Sequence, residues 1–143
     1  MFRKLIALSA IAVATLMIGV GPASASASVA MGIGSTATLT DRVLVSVPVD
    51  VTCSPDAGQQ EANFVAIEQA TAKGIAHGDG AVVGVVCDDT SHHYSVAILA
   101  DTSGPAFKKG KAVVRGALGF CDWNTWPTVC VSAFSGPQSI TLR

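Results

Sequence analysis

The chain has 143 residues, of which 50% are hydrophobic and 13% are charged. Nine Lys and Arg stand against ten Asp and Glu, a formal net charge of −1. This balance lacks the basic excess that is typical of nucleic-acid-binding proteins, and the length is that of one ordinary domain.

The first 27 residues have the three parts of a secretory signal peptide in order. Arg3 and Lys4 provide a positive start, residues 5–20 form an uncharged apolar run, and two overlapping Ala-x-Ala sites end at Ala25 and Ala27. The alternative is a transmembrane anchor. An anchor needs a run of about 20 apolar residues, and the run at residues 5–20 is shorter than that. We therefore predict a signal peptide over residues 1–27, cleavage after Ala25 or Ala27, secretion, and no membrane segment in the product.

The exported product, residues 28–143, is predicted to form a single domain. Because Arg3 and Lys4 leave with the signal, seven Lys and Arg then face ten acidic residues, a net charge of −3. We expect no nucleic-acid partner.

Four cysteines remain in the product, and an even number in an exported chain predicts two disulfides. Of the three possible pairings we favour Cys53–Cys87 with Cys121–Cys130, because the second pair flanks a turn-rich segment that a local bridge closes easily. The alternative of a four-cysteine zinc site lacks any Cys-x-x-Cys pair. We expect no metal and no cofactor.

Residues 42–53 carry the clearest secondary-structure signal. Val or Cys occupies every odd position from Val43 to Cys53, and this period of two predicts a strand with one buried face. Pro48 cannot donate a ladder hydrogen bond, so we expect this strand to lie at a sheet edge, to change sheets or to bulge there.

Residues 61–73 fit two interpretations. Phe64, Ile67 and Thr71 would lie on one face of a helix, whereas Val65, Ile67 and Gln69 would lie on one face of a strand. We favour the strand because the neighbouring segments are strands.

The rest of the chain consists of short strands and turns. Residues 81–87 and 94–99 predict a hairpin, and residues 111–121, 129–134 and 138–142 predict three further strands. Seven or eight strands without a long helix predict an all-β fold, an immunoglobulin-like antiparallel β-sandwich.

This layout resembles small secreted immunoglobulin-like β-sandwich proteins of actinobacteria whose function is unknown. The likeness is carried by VPVDVTCSPDAG at residues 47–58, by IEQATAKGIAHGDG, VVCDDTSHHYSV and GPAFKKGKAVV, and by the last cysteine pair before the terminal strand. It implies the same fold and disulfides and brings no assigned activity with it.

A weaker likeness is to the enediyne apoproteins, exported sandwiches of similar size that hold an aromatic ligand in a cleft. The two disulfides of that family close short loops, whereas Cys53 and Cys87 are far apart in this chain. This likeness implies a small-molecule carrier as an alternative function.

Six residues could in principle form a loose divalent-metal site: His77, Asp79, Asp88, Asp89, His92 and His93. Adjacent residues of a strand point to opposite faces, so His92 and His93 cannot easily share an ion, and we interpret the group as solvated turn residues. Catalytic motifs such as Gly-x-Ser-x-Gly and His-Glu-x-x-His are absent from the sequence. We therefore do not expect an enzyme.

Lys108, Lys109 and Lys111 form a basic cluster, with Arg115 on the strand that follows. The structural interpretation is a charged loop that leads into an edge strand and discourages edge-to-edge pairing. The functional interpretation is a weak site for an anionic cell-surface polymer.

Both tryptophans, Trp123 and Trp126, lie with Asn124 between Cys121 and Cys130. Tryptophan is enriched at binding hot spots, and a loop closed by a disulfide loses less entropy on binding. We predict that Trp123, Trp126 and Asn124 form a contact surface. The alternative is that the indoles fold back and cap the core.

Together these features predict a secreted, non-enzymatic binding or structural module that contacts a protein or a cell-envelope polymer. The alternatives are an extracellular small-molecule carrier with a ligand cleft and, less favoured, a hydrolase.

Overall fold

The computed structural model describes residues 26–143, so most of the predicted signal peptide lies outside the described part. The described chain contains eight strands: β1 (Val29–Ile33), β2 (Thr36–Thr40), β3 (Leu44–Cys53), β4 (Gln59–Thr71), β5 (Gly74–Gly80), β6 (Ser91–Leu99), β7 (Gly110–Asp122) and β8 (Val129–Leu142). A short 3₁₀ turn, Pro55–Ala57, separates β3 from β4. No helix in this part of the chain is long and apolar enough to cross a membrane.

The strands form two layers that are joined through β2. In the first layer β3 lies between β6 on one side and β1 followed by β2 on the other. In the second layer the order is β2–β8–β7–β4–β5. All pairings are antiparallel except that of β2 with β8. The prediction of an all-β, immunoglobulin-like sandwich of seven or eight strands is confirmed.

Alternation along the strands produces the core. On β3 the residues at odd positions are 0% exposed, and these are Val45, Val47, Val49, Val51 and Cys53. They belong to one buried cluster with Val65 and Ile67 of β4 and with Leu118 of β7. β4 is therefore a strand with its odd positions inward, and the helical interpretation of residues 61–73 is wrong.

Pro48 does not mark an edge, because β3 is the central strand of its layer. The Pro48 carbonyl accepts a hydrogen bond of 2.9 Å from the Gly34 N–H. Since the N–H and C=O of a strand residue point to the same side, the donor that proline lacks would also face Gly34. At this point the neighbouring strand is interrupted between β1 and β2. No carbonyl on that side therefore needs the N–H that Pro48 lacks.

The predicted hairpin of residues 81–87 with residues 94–99 is wrong. β6 pairs with β3 along its whole length, and residues 81–90 cross irregularly from one layer to the other. Side chains hold this crossing: Asn63 exchanges two hydrogen bonds of 2.7 Å with the Val82 backbone, and the Val86 N–H donates to the Tyr94 hydroxyl at 2.9 Å. Residues 81–87 are apolar, as in a strand, because this crossing segment contributes Val82 to the core, where it is 1% exposed.

Three further details differ from the sequence prediction. Residues 129–134 and 138–142 belong to one strand, β8, which bulges at Gly136–Pro137. β1 and β2 are not predicted because their runs, VAMGI and TATLT, are short and rich in small residues. β7 lies between β4 and β8, so the lysines before it do not lead into an edge strand.

Both predicted disulfides are present, and no cysteine is free. Cys53–Cys87 joins the end of β3 to the crossing segment, while Cys121 and Cys130 lie directly opposite each other on β7 and β8. Two disulfides are compatible with a compartment outside the reducing cytoplasm.

Candidate functional site

The loop between β7 and β8 carries the residues predicted to bind. The two strands remain paired to Asp122 and Val129, one step beyond the disulfide. Within the loop the Asn124 N–H donates to Asp122 Oδ1 at 2.9 Å, and the Thr125 hydroxyl donates to the Asp122 carbonyl at 3.1 Å. The disulfide and these two bonds hold the loop in one shape.

Both indoles lie on the outside of the molecule. Trp123 is 59% exposed and Trp126 is 96% exposed, so neither caps the core. Trp123 is nevertheless oriented, because its Nε1–H donates to Glu61 Oε1 at 2.6 Å. Asn124 is also exposed. The structure thus brings the three predicted residues together on one disulfide-closed loop.

An aromatic row on the outer face of the second layer is not predicted by the sequence pattern. Phe64 of β4 is paired with Ala117 of β7, which is paired in turn with Phe134 of β8. Phe64 is 42% exposed and Phe134 is 77% exposed, whereas Ala117 between them is only 6% exposed. The one sequence signal that could have revealed this row is Phe64, which occupies an even position on β4, where a polar residue is expected.

The surface between this row and the loop is made of small side chains. Ala62, Gly119 and Ser132 form the next row along the three strands, and the Cys121–Cys130 bridge follows. Because alternate residues of a strand lie about 7 Å apart, the aromatic row lies about 14 Å from the bridge. We call Trp123, Trp126, Phe64 and Phe134, with this floor between them, the aromatic surface.

Carboxylates are concentrated at the same end of the sandwich. The acidic residues in the loops and strand ends here are Asp56, Glu61, Asp88, Asp89 and Asp122, and no Lys or Arg of residues 26–143 lies among them. The pKa of Asp88 is lowered from 3.8 to about 2, chiefly because the Thr90 hydroxyl donates to it and further because His92 does. This end is therefore negatively charged over the ordinary pH range.

Each histidine of the described chain has its own aspartate. His77 lies 3.0 Å from Asp101, His92 lies 2.8 Å from Asp88, and His93 lies 2.9 Å from Asp50; Asp79 and Asp89 join none of these pairs. Between residues 26 and 143 no group of three or more His, Cys, Asp or Glu is placed to hold a metal ion. The histidines thus form three separate surface pairs.

Asp101 has a further set of donors in its own loop. The pKa of Asp101 is lowered because the Ser103 N–H and hydroxyl donate to its carboxylate, at 2.7 and 2.8 Å, with a smaller effect of His77. These bonds fix the start of the loop that leads to Lys108, Lys109 and Lys111. That loop lies at the end of the sandwich opposite to the tryptophans.

Comparisons of this chain with protein-family models, with curated proteins and with solved structures found no match. The function is therefore inferred from the surface itself.

Proposed function

We propose that the protein is a secreted, non-enzymatic binding module that docks a protein or a cell-envelope polymer on its aromatic surface. The observation that supports this most strongly is the position of Trp126, which is 96% exposed on a loop closed by a disulfide. Export is supported by the signal-peptide pattern and by the two disulfides.

Exposed aromatic groups are unfavourable in an isolated soluble domain. Burying an aromatic side chain contributes about 1.5–3 kcal/mol, and this fold leaves four of them partly or almost wholly in water. Large apolar patches that remain exposed commonly mark interaction sites. A partner that covered Trp126, Trp123 and Phe134 would recover that free energy.

The aromatic surface is also prepared for binding. Cys121–Cys130, the Asp122 bonds and the Trp123–Glu61 bond hold its loop in the unbound protein, so docking costs little loop entropy. Glu61 and Asn124 place polar groups beside the indoles, as in the polar rim of an ordinary interface. Such a rim suits either polymer hydroxyls or peptide N–H groups.

Tryptophan fluorescence offers a direct test, because Trp123 and Trp126 are the two tryptophans of the chain. The exported protein is mixed with insoluble cell envelope from its own culture, either intact or treated with protease. We expect co-sedimentation and an emission shift to shorter wavelength. Binding that survives protease would identify a polymer, and binding that is lost would identify a protein.

Two variants decide whether the aromatic surface is responsible. Trp126→Ala should reduce co-sedimentation at least about tenfold, as expected for a hot-spot residue. Leu99→Ala is the matched control, because Leu99 is 65% exposed on the other layer and should leave binding unchanged. Equal binding by wild type and Trp126→Ala would overturn the proposal.

A further inference from the structure

The cations of the described chain are concentrated at the end opposite to the tryptophans. Between residues 26 and 143 there are seven Lys and Arg, and six of them lie in the turns or at the strand ends there: Arg42, Lys73, Lys108, Lys109, Lys111 and Arg143. The seventh, Arg115, lies half-way along β7 and pairs with Glu68 at 3.4 Å. We call these six cations and the loops that carry them the basic end.

Within residues 26–143 the six cations have no ion-pair partner. The salt bridges found within residues 26–143 use three histidines and Arg115. Two acidic residues lie at this end: Asp41, beside Arg42, and Asp101, which pairs with His77. The basic end therefore has a local excess of positive charge on a domain whose net charge is negative, and such an excess attracts anions.

Two adjoining hollows open between these side chains. One, of about 500 Å³, is lined by Arg42, Lys73 and Lys108, by the carboxylate Asp41, and by uncharged residues. The second, of about 300 Å³, is lined by Arg42, Lys108 and Lys109 together with Leu39 and Asp41. Arg42 and Lys108 border both hollows. If each hollow held one anionic group, these two cations would contact both groups. That arrangement suits a polymer with repeated charges better than a single small ion.

Buried groups hold the backbone that carries these cations. Gln69, 2% exposed, accepts a hydrogen bond from the Lys108 N–H at 2.8 Å and donates to the Lys108 and Lys111 carbonyls at 2.8 and 3.1 Å. Phe107, 0% exposed, donates its N–H to the Arg42 carbonyl at 3.0 Å. The backbone at Arg42 and Lys108 is thus held before any ligand arrives, which lowers the entropy cost of ordering these loops on binding.

We propose that the basic end binds a polyanionic polymer that carries a phosphate group in each repeating unit. The Arg42 guanidinium can donate two parallel hydrogen bonds to a phosphate group, and the surrounding lysines would neutralise the charge of that group. The site is separate from the aromatic surface. It stands whether or not a partner docks at the tryptophans.

Calorimetric titration of the exported protein at low ionic strength tests this proposal, with long-chain inorganic polyphosphate as the probe. We expect binding that weakens steeply as salt is added, since several charge contacts are screened together. Inorganic phosphate should bind much more weakly, because it can occupy only one hollow. The tryptophan emission should stay constant, because both indoles lie at the other end.

Matched charge variants locate the site. Lys73→Gln with Lys109→Gln removes two exposed side chains and should lower the polyphosphate affinity at least about tenfold. Arg115→Gln also removes a positive charge, but at a site away from the basic end. It should change the affinity less than about twofold. Thermal unfolding of each variant verifies that the fold is retained.

Several results would overturn the proposal. One is absence of polyphosphate binding at low salt, and another is an equal loss of affinity in Arg115→Gln and the double variant. Polyglutamate, a polyanion without phosphate, that bound as tightly as polyphosphate would contradict recognition of a phosphate polymer. Inorganic phosphate that bound as tightly would contradict recognition of a chain.

Discussion

The indole N–H of Trp123 donates to Glu61 Oε1 at 2.6 Å, which ties the β7–β8 loop to the start of β4. Glu61 lies at the register shift of β4 against β7, so the bond depends on a local irregularity of the sheet. Trp126, on the same loop, is almost completely in solvent. One indole is therefore oriented by the protein, and the other presents its full surface to a partner.

This difference predicts unequal effects on stability. Trp126→Ala should change the free energy of unfolding by less than about 0.5 kcal/mol, whereas Trp123→Ala should cost about 1 kcal/mol through loss of one hydrogen bond. Urea unfolding followed by far-ultraviolet circular dichroism measures both. Ile67→Ala, in the core, provides the reference at about 2–5 kcal/mol. A Trp126→Ala loss as large as that of Ile67→Ala would show that this indole is structural.

Gln69 is expected to be the polar residue on which the β6–β7 loop depends. In Gln69→Leu the Lys108 N–H and the Lys108 and Lys111 carbonyls lose their partner, at a cost of about 2–4 kcal/mol of unfolding free energy. Hydrogen exchange at the Lys108 amide should also become faster. Gln59→Leu, at an exposed position of the same strand, is the control and should change little. Comparable losses in the two variants would refute this role.

Gly78 permits the close approach of β5 to β6 at the open side of the sandwich. A Cβ at Gly78 would collide with the Leu99 carbonyl oxygen, whereas a Cβ at Gly32 of β1 would meet nothing nearer than Asp50 Cβ at 4.0 Å. Gly78→Ala should therefore cost about 2 kcal/mol or more, and Gly32→Ala should be neutral or slightly stabilising. The difference between their thermal midpoints tests this, and equal midpoints would argue against it.

Acid should weaken the fold partly through Asp88. Because the pKa of Asp88 is about 2 in the folded protein and 3.8 is its ordinary value, the ionised carboxylate stabilises the folded state above pH 3.8. This contribution is lost as the pH falls from 3.8 towards 2. The lowered pKa of Asp101 acts in the same direction.

Asp88→Asn should therefore flatten the decline of the thermal midpoint over that acid range. Asp56→Asn, at an exposed site outside these hydrogen bonds, is the matched control. A decline as steep in Asp88→Asn as in the control would show that Asp88 does not contribute to acid sensitivity.

Local pattern was sufficient to predict the strands that bury one face. The run from Val45 to Cys53 reads correctly because a period of two leaves only one face to bury. The pairing of Cys121 with Cys130 follows from a short turn between them, which brings opposite residues of a hairpin together. The tryptophan loop is visible in the sequence for the same reason, because all its parts are close along the chain.

The tertiary structure alone decided which strands pair. Residues 81–87 have the composition of a strand, yet their backbone is held by Asn63, by Tyr94 and by the Cys53–Cys87 bridge, and β6 pairs with β3. Such bonds join residues far apart in sequence, so no local window contains both partners.

The surfaces, too, depend partly on local sequence and partly on the tertiary fold. The sequence by itself determined the fold class, the Cys121–Cys130 bridge and the two-tryptophan loop, because each depends on residues close together in the chain. The Cys53–Cys87 bridge joins distant residues, and it was predictable because it is the pairing left once Cys121 and Cys130 are joined. Only the fold could set Phe64 and Phe134 in one row across β7, and only the fold could gather Arg42, Lys73 and Arg143 around the lysine loop. The physical reason is that antiparallel strands bring residues from distant parts of the chain to the same end or face of the sandwich. The net charge and the exposed apolar area of that end or face therefore depend on which strands are neighbours.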